Sequence, residues 1–548
     1  MRSVNSDSKF CTFKVSAANV LRLLFTCVAV LVLNGLAAKS ASAQASDVYV
    51  TQSGGGTGNC TSNVHPASWF NNSANWGTNS TQIGPGTIVH LCGTISTELG
   101  FQGDGASGRP FIILFESGAQ MVQTSWRQAF YAGGHSYWKI DGGTPCGWDD
   151  VAMTREGNCN GVIKNTSSVD NNTLAIEVSG SHDYEITNLE IGPLYQHVAN
   201  TGPSIEVTLG GCIYANGAGM NGKVSHSYFH DAGWCVNLEN MPAGTLNFVG
   251  DHMYMEHISH FFQWGGCNAG GTSGYTISNS RLHEPANWDS LDNAYHHDGI
   301  QVDPLPAPNS CSDFLWENNV VDGDWGANNT SPIFLEQHTN QNISRVKIFN
   351  STFASANGHV FNNGAINAVG YDDLQIYNNT IVCPNAGIGM QISGTHLKVQ
   401  NNIFSACSTA IYANFISATS WTADTNNVFD AIGLGGSAAL IYQSETACCS
   451  GSLATQLAQW TTHTGGSGSI TVSNAQLNPN GSPQTGSPAI GVGSNLSALG
   501  IAALGTDIKS AVRPSSGSWT SGAFSTPGSS VSAPTPTPPT GLKATVTQ

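Results

Sequence analysis

One pattern returns through the middle of this chain: an apolar residue, any residue, asparagine, then asparagine or serine. It reads Ile-Ser-Asn-Ser from 277, Trp-Glu-Asn-Asn from 316, Ile-Phe-Asn-Ser from 348, Ile-Tyr-Asn-Asn from 376 and Val-Gln-Asn-Asn from 399. A degenerate copy, Asp-Thr-Asn-Asn, starts at 424, and looser copies start at Val224 (Val-Ser-His-Ser) and Val249 (Val-Gly-Asp-His). Successive starts lie 25, 28, 39, 32, 28, 23 and 25 residues apart. Each unit continues with an apolar pair, a Gly- or Ser-containing turn and a second short β-rich run, such as Gly-Ile-Gln-Val from 299. A single Asn-Asn is an ordinary surface turn, but the same pair at one register through several units is not.

Units of this length, built of short strands without helical periodicity, describe a solenoid. Each coil hydrogen-bonds to the coils above and below, at about 4.8 Å per layer. An asparagine at one place per coil can bond to its own kind up the stack, satisfying backbone groups at a bend that no regular ladder covers. The ladder, the opening stretch Asp47–Gly58 and the closing stretch Gly486–Phe524 together resemble the right-handed parallel β-helix proteins, the group that includes pectate lyases and polygalacturonases. The resemblance covers residues 45 to 525 and implies an all-β fold, a right-handed parallel β-helix. Neither a polygalacturonase catalytic signature nor a pectate lyase calcium site matches residue by residue, so no catalytic residue carries over.

The flanks read differently. Arg2, Lys9, Lys14 and Arg22 precede the apolar run Leu23–Ala37, and Ala41-Ser42-Ala43 supplies a small-residue cleavage pattern. Residues 1–43 are therefore expected to be a signal peptide, cleaved after Ala43, and the protein to be secreted; the apolar run is shorter than the ~20 residues of a spanning helix. The β-helix is expected over 44–525, a Pro/Thr/Ser linker over 526–540, and over 541–548 a fragment resembling the first strand of a fibronectin type III module. Without the signal, 13 basic side chains face 34 acidic ones, a net charge of −21. That surface repels nucleic acid and anionic lipid, and a monomer is expected. Twelve cysteines remain, an even number that suits disulfides in an oxidising compartment. Cys383 and Cys407 would stack on neighbouring coils.

Polar groups on a solenoid gain meaning when coils are superposed. Alignment on the asparagine places His230, Met255, His283 and Asp322 in one column, with Asp231, Glu256, Glu284 and Gly323 in the next. In the second run, alternation sends Val236, Phe262, Ile300 and Ile333 inward and Asn237, Gln263, Gln301 and Phe334 outward, followed by Glu239, Gly265, Asp303 and Glu336. The 39-residue unit adds a loop, Pro285–His296, beside this face, and the stretch 292–303 at its end gathers His296, His297, Asp298 and Asp303. By parity His297, Gln301 and Asp303 face solvent. Asp298 is either buried or a turn-capping aspartate at the bend.

Paired carboxylates on a groove are what glycoside hydrolysis needs. Asp303 and Glu336 are the expected acid/base pair, with His297 and Asp298 beside them. His230, Asp231, Glu239, Glu256, Arg281, His283, Glu284, His296, Gln301 and Trp264 are the expected contacts to an extracellular polysaccharide. Neighbouring coils approach the ~5 to 5.5 Å separation of retaining enzymes, and a skipped coil, about 9.6 Å, the long end of the inverting range. Trp234, Trp288 and Trp325 could stack on sugars or fill the core. The alternative chemistry is β-elimination on a uronate polymer, with Arg281 and a histidine base, or Ca²⁺ held by Asp289, Asp292 and Asp303. A third reading is a glycan-binding spike without catalysis. No metal or cofactor is required by any motif.

Overall fold

The computed structural model describes residues 47–56, 60–166, 173–194, 211–217, 219–285, 297–304, 308–327, 329–336, 342–383, 387–413, 419–430, 439–442 and 449–525. The expected signal peptide, linker and C-terminal fragment lie outside the described residues, as do His296, Trp288, Asp289 and Asp292. The chain winds as a right-handed parallel β-helix, the hand that parallel crossovers take almost without exception. Among the described strands one pair is antiparallel, Trp148–Asp149 with Thr154–Arg155, in a loop outside the coils.

One coil shows the plan. Strand Gly244–Asp251 ends at His252, whose φ of 51° turns the chain. Strand Tyr254–Gly265 follows and is bent at His257, φ 53°. Its first three residues pair with Tyr228–His230 below and Arg281–His283 above; the rest pairs with 234–238 and with strand His297–Asp303. Stacking these three runs makes a first, a second and a third sheet, separated by two left-handed corners.

The left-handed conformation costs most L-residues roughly 1–2 kcal/mol, and asparagine tolerates it best after glycine. This explains the repeat. Asn188, Asn279, Asn318, Asn350, Asn378, Asn401 and Asn426 all occupy the first corner at φ between 48° and 59°. Amides of the ladder donate to the coil below, Asn318 Nδ2 to Asn279 Oδ1 at 3.0 Å and Asn401 Nδ2 to Asn378 Oδ1 at 3.0 Å. The following residue builds a second, buried ladder to the backbone: Asn402 N donates to Asn427 Oδ1, Asn379 N to Asn402 Oδ1, and Ser351 N to Asn379 Oδ1, each at 2.9 Å.

Registration departs from the expected alignment at one coil. Val224 pairs with Gly250, and Gly250 with Ile277, so the loose copy begins at Gly250 rather than Val249. His230, Glu256, His283 and Asp322 therefore form one column, while Met255 lies in the inward column with Phe229, Leu282 and Val321. That inward column is wholly buried. Each such side chain contributes about 1.5–3 kcal/mol by leaving water, which is how a charge-poor chain of this length holds together.

Both ends of the core are covered, as an open solenoid requires. Phe70 and Trp76 close the first coils. Helix Leu453–Thr464, capped by Ser452 and ended by left-handed Gly465, lays Trp460 edge-on to Trp421 at the other end. Strands end at Val472, and 473–525 runs back outside the coils. It covers the distal half of the second sheet and the ladder: Asn350 Nδ2 donates to Ala503 O, and Asn426 Nδ2 to Val492 O. Arg513 of this segment is buried, donating to the Gly522 and Ala523 carbonyls, and desolvation lowers its pKa to about 10. Disulfides join Cys60–Cys92, Cys146–Cys159, Cys212–Cys235, Cys267–Cys311 and Cys383–Cys407, the last as expected. No described helix is long and apolar enough to cross a membrane.

Candidate functional site

The third sheet presents a straight outward ribbon. Its register runs Tyr131, Glu177, Tyr214, Asn237, Gln263, Gln301, Phe334, Asn367, Gln391, Tyr412, one residue per coil. No lysine or arginine occurs in the described third-sheet strands. Beside the ribbon a second column carries Asn216, Glu239, Gly265, Asp303 and Glu336. Asp303 and Glu336 thus stand on neighbouring coils, both partly exposed. Gln301 Nε2 donates to Glu336 Oε2 at 2.7 Å, and Asn237 Nδ2 to Glu239 Oε1 at 3.0 Å. The amide donors are thereby committed to the carboxylates. The amide acceptors are not: Asn237 Oδ1, Gln263 Oε1 and Gln301 Oε1, on three consecutive coils, are buried among their neighbours without a hydrogen-bond partner among the described residues. Unmet acceptors of this kind are uncommon in folded proteins. Beneath the pair, the Tyr371 hydroxyl donates to the Leu335 carbonyl at 2.6 Å, and its phenol is held well above its ordinary pKa by burial and by the charges of Glu336 and Asp303.

The start of the third sheet differs from expectation. His297 and Asp298 are 2% and 0% exposed, so His297 does not face solvent. Alternation fails there because the pairing shifts by one residue: His297 opposes Asn329 but Asp298 opposes Ser331. The result is a column of half-buried Trp234 followed by buried His260, Asp298 and Ser331. Trp234 stacks on His260 at 4.0 Å, His260 Nε2 lies 3.6 Å from Asp298 Oδ2, and Ser331 N donates to Asp298 Oδ1 at 3.2 Å. Ser259 Oγ bridges the two imidazoles, 3.2 Å from His260 Nδ1 and 3.4 Å from His297 Nδ1. The expectation that His297 faces solvent is thus corrected, and of the two readings for Asp298 the buried one holds. Trp264 is also corrected: it is fully buried, in the inward column with Leu238 and Val302, stacked on Tyr275 at 5.3 Å. Trp325 is likewise core.

The remaining expected contacts lie across the second corner, on the second sheet. Asp231, His257 and Glu284 occupy that corner with φ of 48°, 53° and 48°. Arg281 and His283 therefore do not share the face of Asp303 and Glu336, as the sequence alignment had placed them. They belong to a closed set of charges. Arg281 grips Asp322 through two bonds, Nε to Oδ1 at 2.9 Å and an Nη to Oδ2 at 2.8 Å, and His283 Nδ1 lies 2.7 Å from Asp322 Oδ1. Burial alone would raise the Asp322 pKa, but these partners pull it below the ordinary value. Glu256 accepts from the hydroxyls of Tyr228 and Tyr254, the latter at 2.9 Å. Burial and the Glu256 carboxylate raise both phenols far above their usual range. Arg155 lies 3.7 Å above the Tyr228 ring. His230 sits between Asp231 (2.7 Å) and Glu190 (3.5 Å); burial opposes its charge, but the two carboxylates prevail and raise its pKa to about 9.

Two outer segments frame this second sheet. The loop closed by Cys146–Cys159 lays Trp148 and Met153 on one side, and Pro479–Gly481 approaches from the other, around a cavity of about 240 Å³ lined by Arg281, Val320 and Asp322. Sequence reading missed both segments, since neither carries the repeat. The spacing of Cys146 and Cys159 was the available signal for the first.

No family model and no curated protein matches the chain. Among solved structures it is similar to pectate lyase Pel9A, at 13% identity and a TM-score of 0.38 over 88% of this chain and 97% of that one. It is also similar to a GH136 lacto-N-biosidase from Eubacterium ramulus, at 11% identity and 0.33 over 70% and 64%, and to the PL6 family alginate lyase AlyGC, at 9% and 0.28 over 80% and 55%. At these identities the likeness concerns the fold.

Proposed function

We propose that this protein is a secreted enzyme that hydrolyses an extracellular polysaccharide lying along the third sheet. The observation that carries the reading is the pair of partly exposed carboxylates, Asp303 and Glu336, on neighbouring coils beside a straight outward ribbon of amide and aromatic side chains. Sugar hydroxyls recur along a polymer, and polar amide side chains repeating about 4.8 Å apart suit them. Tyr131, Tyr214, Phe334 and Tyr412 place aromatic rings in the same row, where sugar faces can pack. Asp303 and Glu336 supply the chemistry. Glu336, oriented by Gln301, attacks the anomeric carbon, and Asp303 protonates the leaving oxygen; a spacing of one coil suits the retaining geometry of roughly 5 to 5.5 Å.

β-Elimination is the competing chemistry and is less well supported. It requires a positive charge on the substrate carboxylate, and the described third-sheet strands carry no lysine or arginine. Arg281 is held by Asp322 on the neighbouring sheet. The deciding experiment incubates the protein with a panel of neutral and uronate polysaccharides. New reducing ends without the ultraviolet absorbance of unsaturated uronates support hydrolysis. Both signals together mean elimination, and binding with neither means a non-catalytic glycan-binding module.

A further inference from the structure

Two positions of the asparagine ladder carry histidine instead. His226 and His252 hold the first corner of consecutive coils, at φ 49° and 51°, where the coils above use Asn279 and Asn318. Rather than bonding amide to amide, their rings stack at 4.7 Å. The disulfide-closed loop docks directly on these two corners: Cys146 N donates to the His226 carbonyl at 3.1 Å and Trp148 N to the His252 carbonyl at 3.0 Å. Docking brings the Glu156 carboxylate 2.8 Å from His226 Nδ1 and Asp150 3.5 Å from His252 Nε2. Asp251, from the ladder itself, stands 3.0 Å from His252 Nδ1. That nitrogen is buried, yet it lacks the alignment of a hydrogen bond to the nearby oxygen. Donor atoms of His226, Asp251 and His252 all lie within 4.8 Å of one another.

We propose that His226, Asp251 and His252 bind one divalent transition cation of the Zn²⁺ class, and that Glu156 and Asp150 of the disulfide loop orient the two imidazoles around it, tying the loop to the solenoid. Two imidazoles with carboxylates select such an ion over Ca²⁺ or Mg²⁺, which take oxygen donors. The surrounding contacts have the form of an outer shell. Asp150 faces His252 Nε2, leaving Nδ1 for the ion, and Asp150 accepts in turn from the Ser510 hydroxyl at 2.7 Å. Gly147 N donates to Glu156 Oε2 at 3.0 Å, and the other Glu156 oxygen faces His226 Nδ1 at 2.8 Å, leaving Nε2 for the ion.

The test strips the full chain with chelator and titrates it with ZnCl₂ by calorimetry, with metal content read by mass spectrometry. One Zn²⁺ per chain and a higher unfolding temperature are expected. The double variant His226→Asn and His252→Asn places at both corners the residue that other coils use, so the coil is kept and the uptake is lost. Absence of stoichiometric uptake by the natural chain, or equal uptake by the double variant, overturns the proposal. Should the double variant fail to fold, Glu156→Gln decides: at least a tenfold loss of affinity supports the site, and unchanged affinity overturns it.

Discussion

The second and third sheets are built from the same coils, yet they treat polar groups in opposite ways. On the second sheet, Arg281, His283 and Asp322 satisfy one another, Glu256 is taken by two tyrosines, and His230 by two acids. On the third sheet the charges are fewer, all acidic in the described strands, and three amide oxygens in a row remain unmet. Under the proposed function, the richest cluster of ionisable groups is not where the polymer binds. Charges that neutralise one another form structure, whereas the partly exposed Asp303 and Glu336 beside the outward ribbon stand open to a partner.

The largest effect that would sharpen this contrast is on turnover. Asp303→Asn and Glu336→Gln should each lower kcat by about 10³-fold or more, about 4 kcal/mol of barrier, with the unfolding midpoint unchanged. His283→Ala should leave kcat within a few-fold; reducing-end assays of all three variants check this, and a collapse with His283→Ala would move the chemistry to the second sheet. Next comes stability. Arg281→Ala strands Asp322 and should lower denaturant stability by about 2 kcal/mol while the folded protein keeps its activity.

The alkaline limb should also belong to the second sheet. The His230 pKa is about 9 in the folded chain and near 6.5 unfolded, so its stabilisation is complete below pH 6.5 and lost as pH rises through 9. Unfolding midpoints should fall between pH 7 and 10 by the equivalent of about 1–2 kcal/mol, and His230→Gln should flatten that fall. The smallest effect is on the ribbon. Gln263→Ala should raise KM by about five- to tenfold, near 1 kcal/mol, at constant kcat and with stability within about 0.5 kcal/mol. Unchanged KM for every neutral polymer would remove the amide row from binding.

Much of the fold was legible because its cause is local. The ladder residues announce themselves through the left-handed corner that asparagine tolerates, and period-two alternation correctly assigned Val236, Phe262, Ile300 and Ile333 to the core. Alternation failed where local order broke. The pairing shift between His297 and Asp298 buried a histidine expected at the surface, and a one-residue error in the loose copy near Val249 hid Glu256 from its true neighbours. Trp264 was misread because aromatic residues serve cores and sugar sites equally well in a sequence.

What the sequence determined by itself was the coil: its period, its corners, its inward columns, and the pairing of Cys383 with Cys407 on adjacent layers. What only the tertiary structure decided was which faces the polar columns occupy and what covers them. A left-handed residue at Asp231, His257 or Glu284 swings the chain onto a new sheet, so groups close in sequence come to face different directions. The loop at 146–159 and the tail at 473–525 reach the second sheet from far along the chain, through contacts such as Ser510 to Asp150 that no repeat encodes. Periodicity fixes neighbours along the stack because every layer repeats one geometry, whereas coverage of a face depends on long-range packing that is made once.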